Sequence, residues 1–397
     1  MSLNIIVTGG FEANFTMGFI KGLADNGLEL LVVSCDDTAP RLDAAGIKHV
    51  NLRGSLEVKR SAGEKLWNLA RYYGRLLLLL AHHRGATIHF IGIFRNELIL
   101  WEGLMLNACF RLFAGRYIYT VHNVLPHSRG QSRFFQRIYR WIYRIPNLLF
   151  AHTALAKQQL MADFGVPADK ICLTSIGLNE EMPETDLTHA EARRRLGIEE
   201  GTPALLFFGK IDEYKGLDLL LEAFARLQST NVHLVVAGQF RNTDYRAKIF
   251  GQLEQMPGRG RIHLHERFIP NEEAEVFFKG CDSLCLPYRN IYQSGLVFLG
   301  PRFGLPIIAT DVGSMREFIE GNELGLITTS NDAAGIAEAL EKFLSKSDCF
   351  SRAGILMRAS KYRWSNVCRD LAHFYSRRET ATASGLPAEI SAPLESR

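Results

Sequence analysis

The stretch Phe207-Phe208-Gly209-Lys210-Ile211-Asp212-Glu213-Tyr214-Lys215-Gly216-Leu217-Asp218-Leu219-Leu220 decides how this chain is read. Its lead-in, Ala204 to Phe208, is an apolar run of strand length. The run breaks at Gly209 and gives way to an amphipathic helix near Gly216. Along that helix, Leu217, Leu220, Leu221, Phe224 and Leu227 share one face. Lys210 and Lys215 bracket the turn. A strand-to-helix turn leaves backbone N–H groups unpaired at the positive end of the helix dipole, which favours phosphate. Two ammonium groups there would neutralise a diphosphate. The same residues also fit an ordinary loop carrying two solvated lysines, and the turn alone leaves both readings open.

The rest of the chain repeats that strand-to-helix rhythm. Ile5–Val7, Leu28–Val33, Thr87–Ile91, Tyr117–Val121 and Asn147–Ala151 read as strands of a first half. Ala204–Phe208, His233–Ala237, Ile262–Leu264, Ser283–Leu286 and Pro306–Thr310 serve a second. Strands alternating with helical periodicity imply α/β architecture with parallel sheets covered on both faces. Two such series predict two Rossmann-like domains, and 397 residues are too many for one ordinary core. The expected boundaries are 1–180 for the first domain and 181–375 for the second. The polar stretch Asn179 to Pro203 forms the join, with a short helix over His189–Leu196 inside it. Residues 376–397, rich in Ala, Ser, Glu and Pro, are expected to be a disordered tail.

The composition excludes several classes. Apolar residues make up 47% and charged residues 22%, as in a globular protein. A net charge of +4 over this length gives no case for nucleic acid. The seven cysteines are odd in number, and no second pair matches Cys281 and Cys285, so they read as free thiols in a reducing, cytoplasmic setting with no metal site. The N-terminus reads as a first strand rather than an export signal. The run Leu76–Leu80 is far short of the roughly 18 apolar residues of a membrane span.

Further along, Arg267-Phe268-Ile269-Pro270-Asn271 reads as a strand end, a turn and a helix start, with Asn271 as N-cap. Backbone groups of Phe268 and Ile269 would suit a flat base. Pro287 to Leu299 follows a strand and contains Tyr292, Gln293, Ser294 and Gly295, a small-residue turn ahead of an apolar run. Ligands of open α/β sheets bind outside the carboxyl ends of the strands, where these turns fall. Gly304-Leu305-Pro306-Ile307-Ile308-Ala309-Thr310-Asp311-Val312-Gly313 completes the series.

In order and spacing, these segments resemble the nucleotide-sugar domain of GT-B-fold glycosyltransferases, especially the large family-four group, and the likeness covers residues 1–375. The resemblance implies two Rossmann-like domains facing an interdomain cleft, with the last helix packing back on the N-terminal domain. It implies Lys210 and Lys215 as the cations that neutralise the departing nucleotide diphosphate, with no metal or other cofactor. Gly209, Phe268, Ile269, Tyr292, Gln293, Ser294 and Gly295 would line the donor. Two family glutamates near the Ser-Gly turn are absent; Ile291 and Leu299 occupy their positions. That leaves the donor sugar and the stereochemical outcome open.

In the first half, Thr8-Gly9-Gly10 follows the first strand but fails the Gly-x-Gly-x-x-Gly fingerprint of a dinucleotide site, which disfavours a dehydrogenase. The resemblance makes Gly9 and Gly10 a loop at the acceptor side. Tyr119-Thr120-Val121-His122-Asn123 puts His122 at a strand's carboxyl end. By resemblance His122 sits beside the transferred sugar, where imidazole can hydrogen-bond a sugar hydroxyl or move a proton near neutral pH. Arg129, Arg133, Arg137, Arg140 and Arg144 recur at helical spacing beside an expected apolar stripe of Phe134, Ile138, Trp141, Ile142 and Ile145. One reading is a core helix with solvated arginines. The other is a peripheral helix meeting an anionic membrane or a polyprenyl diphosphate. Lys65, Trp67, Arg71, Tyr72 and Arg75 form a second basic-aromatic segment.

The expected activity is hexosyl transfer from a nucleotide diphosphate sugar to a saccharide or lipid-linked acceptor, in bacterial surface polysaccharide or glycolipid synthesis. The rival readings are a nucleotide-sugar epimerase and a non-catalytic binding partner of an active transferase.

Overall fold

The structure is a computed structural model that describes residues 3–55, 62–125, 132–229 and 231–376. The chain divides into two compact units, one formed by residues 1–177 together with 362–397, the other by Leu178–Lys361. The contacts thus group the chain from Tyr362 onward with the first unit, whereas the sequence-based boundary keeps it with the second until residue 375. The expected disordered tail lies almost wholly outside the described residues.

In the first unit, seven parallel strands run β1 (Asn4–Val7), β2 (Leu30–Ser34), β3 (His49–Asn51), β4 (Thr87–Phe90), β5 (Arg116–Val121), β6 (Leu148–Ala151) and β7 (Ile171–Leu173). Their spatial order is β3-β2-β1-β4-β5-β6-β7. In β1, Ile5, Ile6 and Val7 are fully buried, because helices cover both faces. The register pairs Val7 with Val33 on one side and with Phe90 on the other. Every strand therefore ends at the same rim, and the loops after β1, β4 and β5 lie side by side there.

The C-terminal segment closes this unit. Trp364 packs edge-on against Phe15 and Phe19 of the helix Ala13–Asp25. The contact is close enough that Gly18 is required: a Cβ there would lie 2.0 Å from the Trp364 indole nitrogen. Beyond it, the Arg116 guanidinium donates to the Phe374 and Tyr375 carbonyls, each at 3.2 Å.

The second unit has six parallel strands, β8 (Ala204–Phe208), β9 (His233–Gly238), β10 (Ile262–Glu266), β11 (Ser283–Leu286), β12 (Ile307–Ala309) and β13 (Gly325–Ile327). Their order is β10-β9-β8-β11-β12-β13. Leu217, Leu220, Leu221 and Phe224 of the helix Leu217–Ala225 pack on Leu205, Phe207 and Val236 of this sheet. The order of this sheet places the ends of β8 and β11 next to each other, at the reversal point that suits ligands in open α/β sheets.

Two local expectations are corrected. Asn271 is not an N-cap: it is already helical in Asn271–Gly280, Pro270 holds the cap position, and no side chain caps the end. In the helix Arg133–Arg144 the buried face is Phe135, Ile138, Tyr139, Ile142 and Tyr143. Phe134 and Trp141, expected in that stripe, are 54% and 59% exposed. The tyrosines displace them because a tyrosine ring buries well when its hydroxyl finds an acceptor, as Tyr143 does with the Val124 carbonyl at 2.5 Å.

Candidate active site

The turn after β8 builds the first part of the site. Asp212 accepts from the Glu213 N–H and opens a single helical turn, Glu213–Lys215. Gly216, at φ +71°, then reverses the chain into the next helix. Only glycine fits there, since a Cβ would meet the Pro287 carbonyl at 2.0 Å. This close approach ties the turn to the loop after β11. Its second tie is ionic: Asp218 accepts from both Arg289 terminal nitrogens, at 2.7 and 2.8 Å.

The result fixes Lys215. It is only 8% exposed, and its ammonium has no hydrogen bond or ion pair among the described residues. It lies 5.9 Å from the centre of the Tyr288 ring, a cation–π distance. Burial lowers its pKa to about 8; Asp212 opposes that shift and Lys210 adds to it. Lys210 itself is exposed. The two lysines of the turn thus differ in kind: one is buried and aimed, the other free in solvent.

A cavity of about 320 Å³ opens beside Lys215. Ser294 and Gly295 line it, with Gln293, Ile291, Leu299 and Asn179 around them. Ser294 is the cap of the short turn Gly295–Phe298, accepts from the Leu296 N–H at 3.3 Å, and shares a 2.9 Å hydrogen bond with the Tyr288 hydroxyl. The Gln293 amide nitrogen and the Asn179 side-chain oxygen are buried without partners among the described residues. A buried polar atom without a partner costs free energy, so both atoms suit a ligand that supplies hydroxyls. Ile291 and Leu299 stand on the wall as apolar groups where the resemblance leads one to look for carboxylates.

Of the sequence-predicted donor residues, the structure therefore gathers Lys215, Gln293, Ser294 and Gly295 at one cavity. Gly209 joins them through Lys215, whose ammonium lies 3.1 Å from where a Gly209 Cβ would be. Tyr292 is adjacent in the chain and its carbonyl accepts from Ser314. Lys210, Phe268 and Ile269 are not on the cavity wall; Phe268 is 66% exposed and Ile269 is buried. Sequence reasoning missed Asn179, Tyr214 and Tyr288 on that wall, and the Asp218–Arg289 pair behind it. Tyr288, just after the strand and separated by five residues from the Ser294-Gly295 turn, was the one of these with a signal in the sequence.

At the rim of the first sheet, Gly9 and Gly10 adopt φ of +60° and +78°. A Cβ on Gly9 would press on Phe90 at 3.0 Å. Phe11, next in the chain, stacks on His122 with ring centres 3.8 Å apart. His122 Nε2 donates to the Ile91 carbonyl at 2.8 Å, which leaves Nδ1 as an acceptor. Burial, with His152 close by, lowers its pKa to about 3. Of the two roles expected of His122, a lowered pKa with one ring nitrogen engaged favours the hydrogen-bonding one. His152, unremarked in the sequence, lies 5.5 Å from it between ring centres.

Arg133, Arg137, Arg140 and Arg144 project on the exposed side of their helix, with Phe134 and Trp141 beside them. Arg129 lies outside the described residues. No helix among the described residues is long and apolar enough to cross a membrane.

Comparison with known proteins agrees with this architecture. The model of the Glycosyltransferase Family 4 domain matches residues 13–181, and that of Glycosyl transferases group 1 matches residues 188–355. The chain belongs to the GT-B glycosyltransferases. A D-inositol 3-phosphate glycosyltransferase of Geodermatophilus obscurus is 30% identical over 239 residues, 57% of this chain and 52% of that relative. Its counterpart in Corynebacterium aurimucosum is 25% identical over 286 residues, 70% of this chain and 67% of the relative. This GT-B chain thus spans about half to two thirds of the curated relatives it matches. Among solved structures, Anabaena HepE in complex with UDP-glucose aligns with a TM-score of 0.68 at 14% identity, over 95% of this chain and all of that one. A Rickettsia africae glycosyltransferase aligns with a TM-score of 0.70, also at 14% identity, over 95% of this chain and 98% of that one. At such identities the likeness shows the fold.

Proposed function

We propose that this chain transfers a sugar from a nucleotide diphosphate sugar to a saccharide or lipid-linked acceptor. The observation that carries the reading is Lys215: a buried ammonium with no hydrogen bond or ion pair among the described residues, beside a cavity lined by Ser294 and Gly295. An unpaired buried cation is costly unless a ligand supplies the anion. A diphosphate does so, and its charge grows as the sugar departs, so the same group stabilises the transition state more than the ground state. Lys210 adds a second, solvated charge. Side-chain and backbone donors then perform the leaving-group role without a metal. The relatives' names support glycosyl transfer as the reaction class. UDP-glucose, the ligand in the HepE structure, is the first donor to test.

The acceptor in this reading is a saccharide on a lipid carrier, in bacterial surface polysaccharide or glycolipid assembly, at the cytoplasmic side of a membrane. The arginine helix supports a peripheral membrane position. Its exposed face sets Arg133, Arg137, Arg140 and Arg144 beside the exposed rings of Phe134 and Trp141, a pairing suited to an anionic interface. Flotation with vesicles containing phosphatidylglycerol checks it; equal recovery of wild type and of the variant with Arg133, Arg137 and Arg140 replaced by Ala sinks the membrane role.

The donor reading is tested by thermal shift and by turnover of labelled UDP-glucose and related sugars. Stabilisation by the nucleotide sugar, lost in Lys215→Ala, is the expected result; the same shift in both proteins removes Lys215 from the site. Ile291 and Leu299 on the cavity wall favour one second reading, a partner that binds nucleotide without transfer. Binding with no release of nucleotide diphosphate, across donors and acceptors, would select it.

A further inference from the structure

The loop after β4 carries a charged group that the donor reading does not use. Arg95 reaches back to Glu102, which is 7% exposed. One Glu102 oxygen accepts from the Arg95 Nε and Nη2 at 2.8 and 2.6 Å, and the other from the Arg95 backbone N–H at 2.6 Å. The Tyr73 hydroxyl donates to the same carboxylate and accepts from Arg95 Nη2 at 2.8 Å. Glu102 sits in a π-helical segment, Leu100–Leu106, a widened turn that proteins often keep at functional sites.

A purely structural ion pair would consume the guanidinium. Here Nη1 has no partner among the described residues, and the Arg95 side chain is 36% exposed. Burial works against the charge on Arg95, but Glu102 outweighs it and keeps the guanidinium protonated. A second guanidinium stands close by. Arg53, in the loop after β3, lies 4.9 Å over the Tyr72 ring, the neighbour of Tyr73, and has no carboxylate partner among the described residues. The Tyr72 phenol, pushed up to about 12 mainly by burial, feels both arginines. Glu102 balances one of the two positive charges. The Asp36 carboxylate, after β2, is engaged by the Asn51 amide at 2.6 Å and exposed.

Because all strands of this sheet are parallel, Arg53 and Arg95 share the carboxyl rim with the Gly9-Gly10 loop and His122. Planar guanidinium groups with fixed orientation suit phosphate oxygens. We propose that Arg95, aimed by Glu102 and Tyr73, and Arg53, held on Tyr72, bind a phosphate group of the acceptor. The word acceptor rests on the transfer reading above; the anion site itself does not.

Phosphate NMR and calorimetry on the full chain test it with two probes. The first is inorganic phosphate. The second is a vesicle of phosphatidylcholine with and without phosphatidic acid. Saturable phosphate binding is expected, weakened at least fivefold by Arg53→Gln and by Arg95→Gln, and partly restored by Arg95→Lys. Dependence of vesicle binding on the same arginines, without free phosphate binding, assigns the phosphate to a lipid headgroup and supports the site. Failure of both probes to bind, or equal binding by wild type and by both glutamine variants, overturns it. Among the described residues the Arg53 guanidinium is held by stacking on Tyr72, so Arg53→Gln remains informative should Arg95→Gln fold poorly. If Lys215→Ala leaves nucleotide-sugar binding intact while the arginine variants lose phosphate, the donor reading falls and the anion site stands.

Discussion

Asp218 and Arg289 join the two loops of the donor cavity through a two-point ion pair, with oxygen–nitrogen distances of 2.7 and 2.8 Å. Asp218 lies in the first turn of the helix after the lysine turn, and Arg289 directly follows Tyr288. Lys248 and the Tyr245 hydroxyl complete the shell around the carboxylate, at 2.7 and 2.9 Å. Neither charged group of the pair lines the cavity. Their work is to hold Lys215 and Ser294 in one arrangement, which is what preorganised charge stabilisation requires.

Asp218→Asn should therefore cost both stability and donor affinity. Loss of one partner from a buried charge pair leaves the other uncompensated, at roughly 3 kcal/mol. Burial alone would raise the Asp218 pKa, but Arg289, Lys248 and Tyr245 together hold it well below the usual carboxylate range. The stability from this pair is then full above the ordinary carboxylate pKa and fades as pH falls below it. Acid unfolding followed by circular dichroism should show wild type losing stability over that window and the Asn variant losing less. Parallel acid curves would contradict the assignment.

Lys215→Met should raise the melting temperature while removing donor binding. The folded protein holds the Lys215 proton less tightly than the unfolded chain does, since burial brings its pKa to about 8. The shift corresponds to roughly 3 kcal/mol against folding at neutral pH. Wild-type stability should accordingly climb as pH rises from about 8 toward the ordinary lysine value. The Met variant should lack that climb. Donor binding by wild type should weaken over the same interval, because the unprotonated amine carries no charge for the diphosphate. Calorimetry at several pH values reads both effects.

His122 should stay neutral through the physiological range. Its pKa of about 3 comes from burial and from neighbouring His152, and the Ile91 carbonyl already occupies Nε2. Carbon-detected NMR of the imidazole should show the same tautomer from pH 8 to about pH 5. A titration midpoint near 6.5 would restore the proton-transfer role.

Gly18→Ala should unseat the C-terminal segment. The added Cβ would fall 2.0 Å from the Trp364 indole, in a buried contact with no flexible chain to yield. Overpacking of this kind costs about 1–3 kcal/mol. Protease resistance near residue 364 should drop along with the melting temperature. Trp364→Ala combined with Gly18→Ala should show less than the sum of the single losses.

Ser294→Ala should cost about 1 kcal/mol of stability through loss of the turn cap. It also leaves the Tyr288 hydroxyl, buried beside it, without its partner. A melting curve together with a donor titration checks whether the cap and the cavity fail together.

Ten strands were legible because buried parallel strands must be apolar throughout, as in Leu205-Leu206-Phe207-Phe208 and Leu234-Val235-Val236-Ala237. The three strands missed, His49–Asn51, Ile171–Leu173 and Gly325–Ile327, are three-residue edge strands. An edge strand needs few apolar residues, and three positions show no period. The donor turn was legible from Gly209 and Gly216, since both adopt positive φ. Asn179 was not: it reaches the Lys215 cavity from more than 30 positions away in the chain, and no local pattern marks it.

The sequence by itself determined the alternation of strand and helix, and with it two parallel-sheet units whose turns collect at one rim, because burial and backbone conformation are local demands written into residue type. Tertiary structure alone decided which of two equal-looking lysines is buried, how burial lowers the pKa of His122, and which side of the arginine helix faces out. Those properties depend on how much water and which charges surround a group. Residues distant in the chain set both.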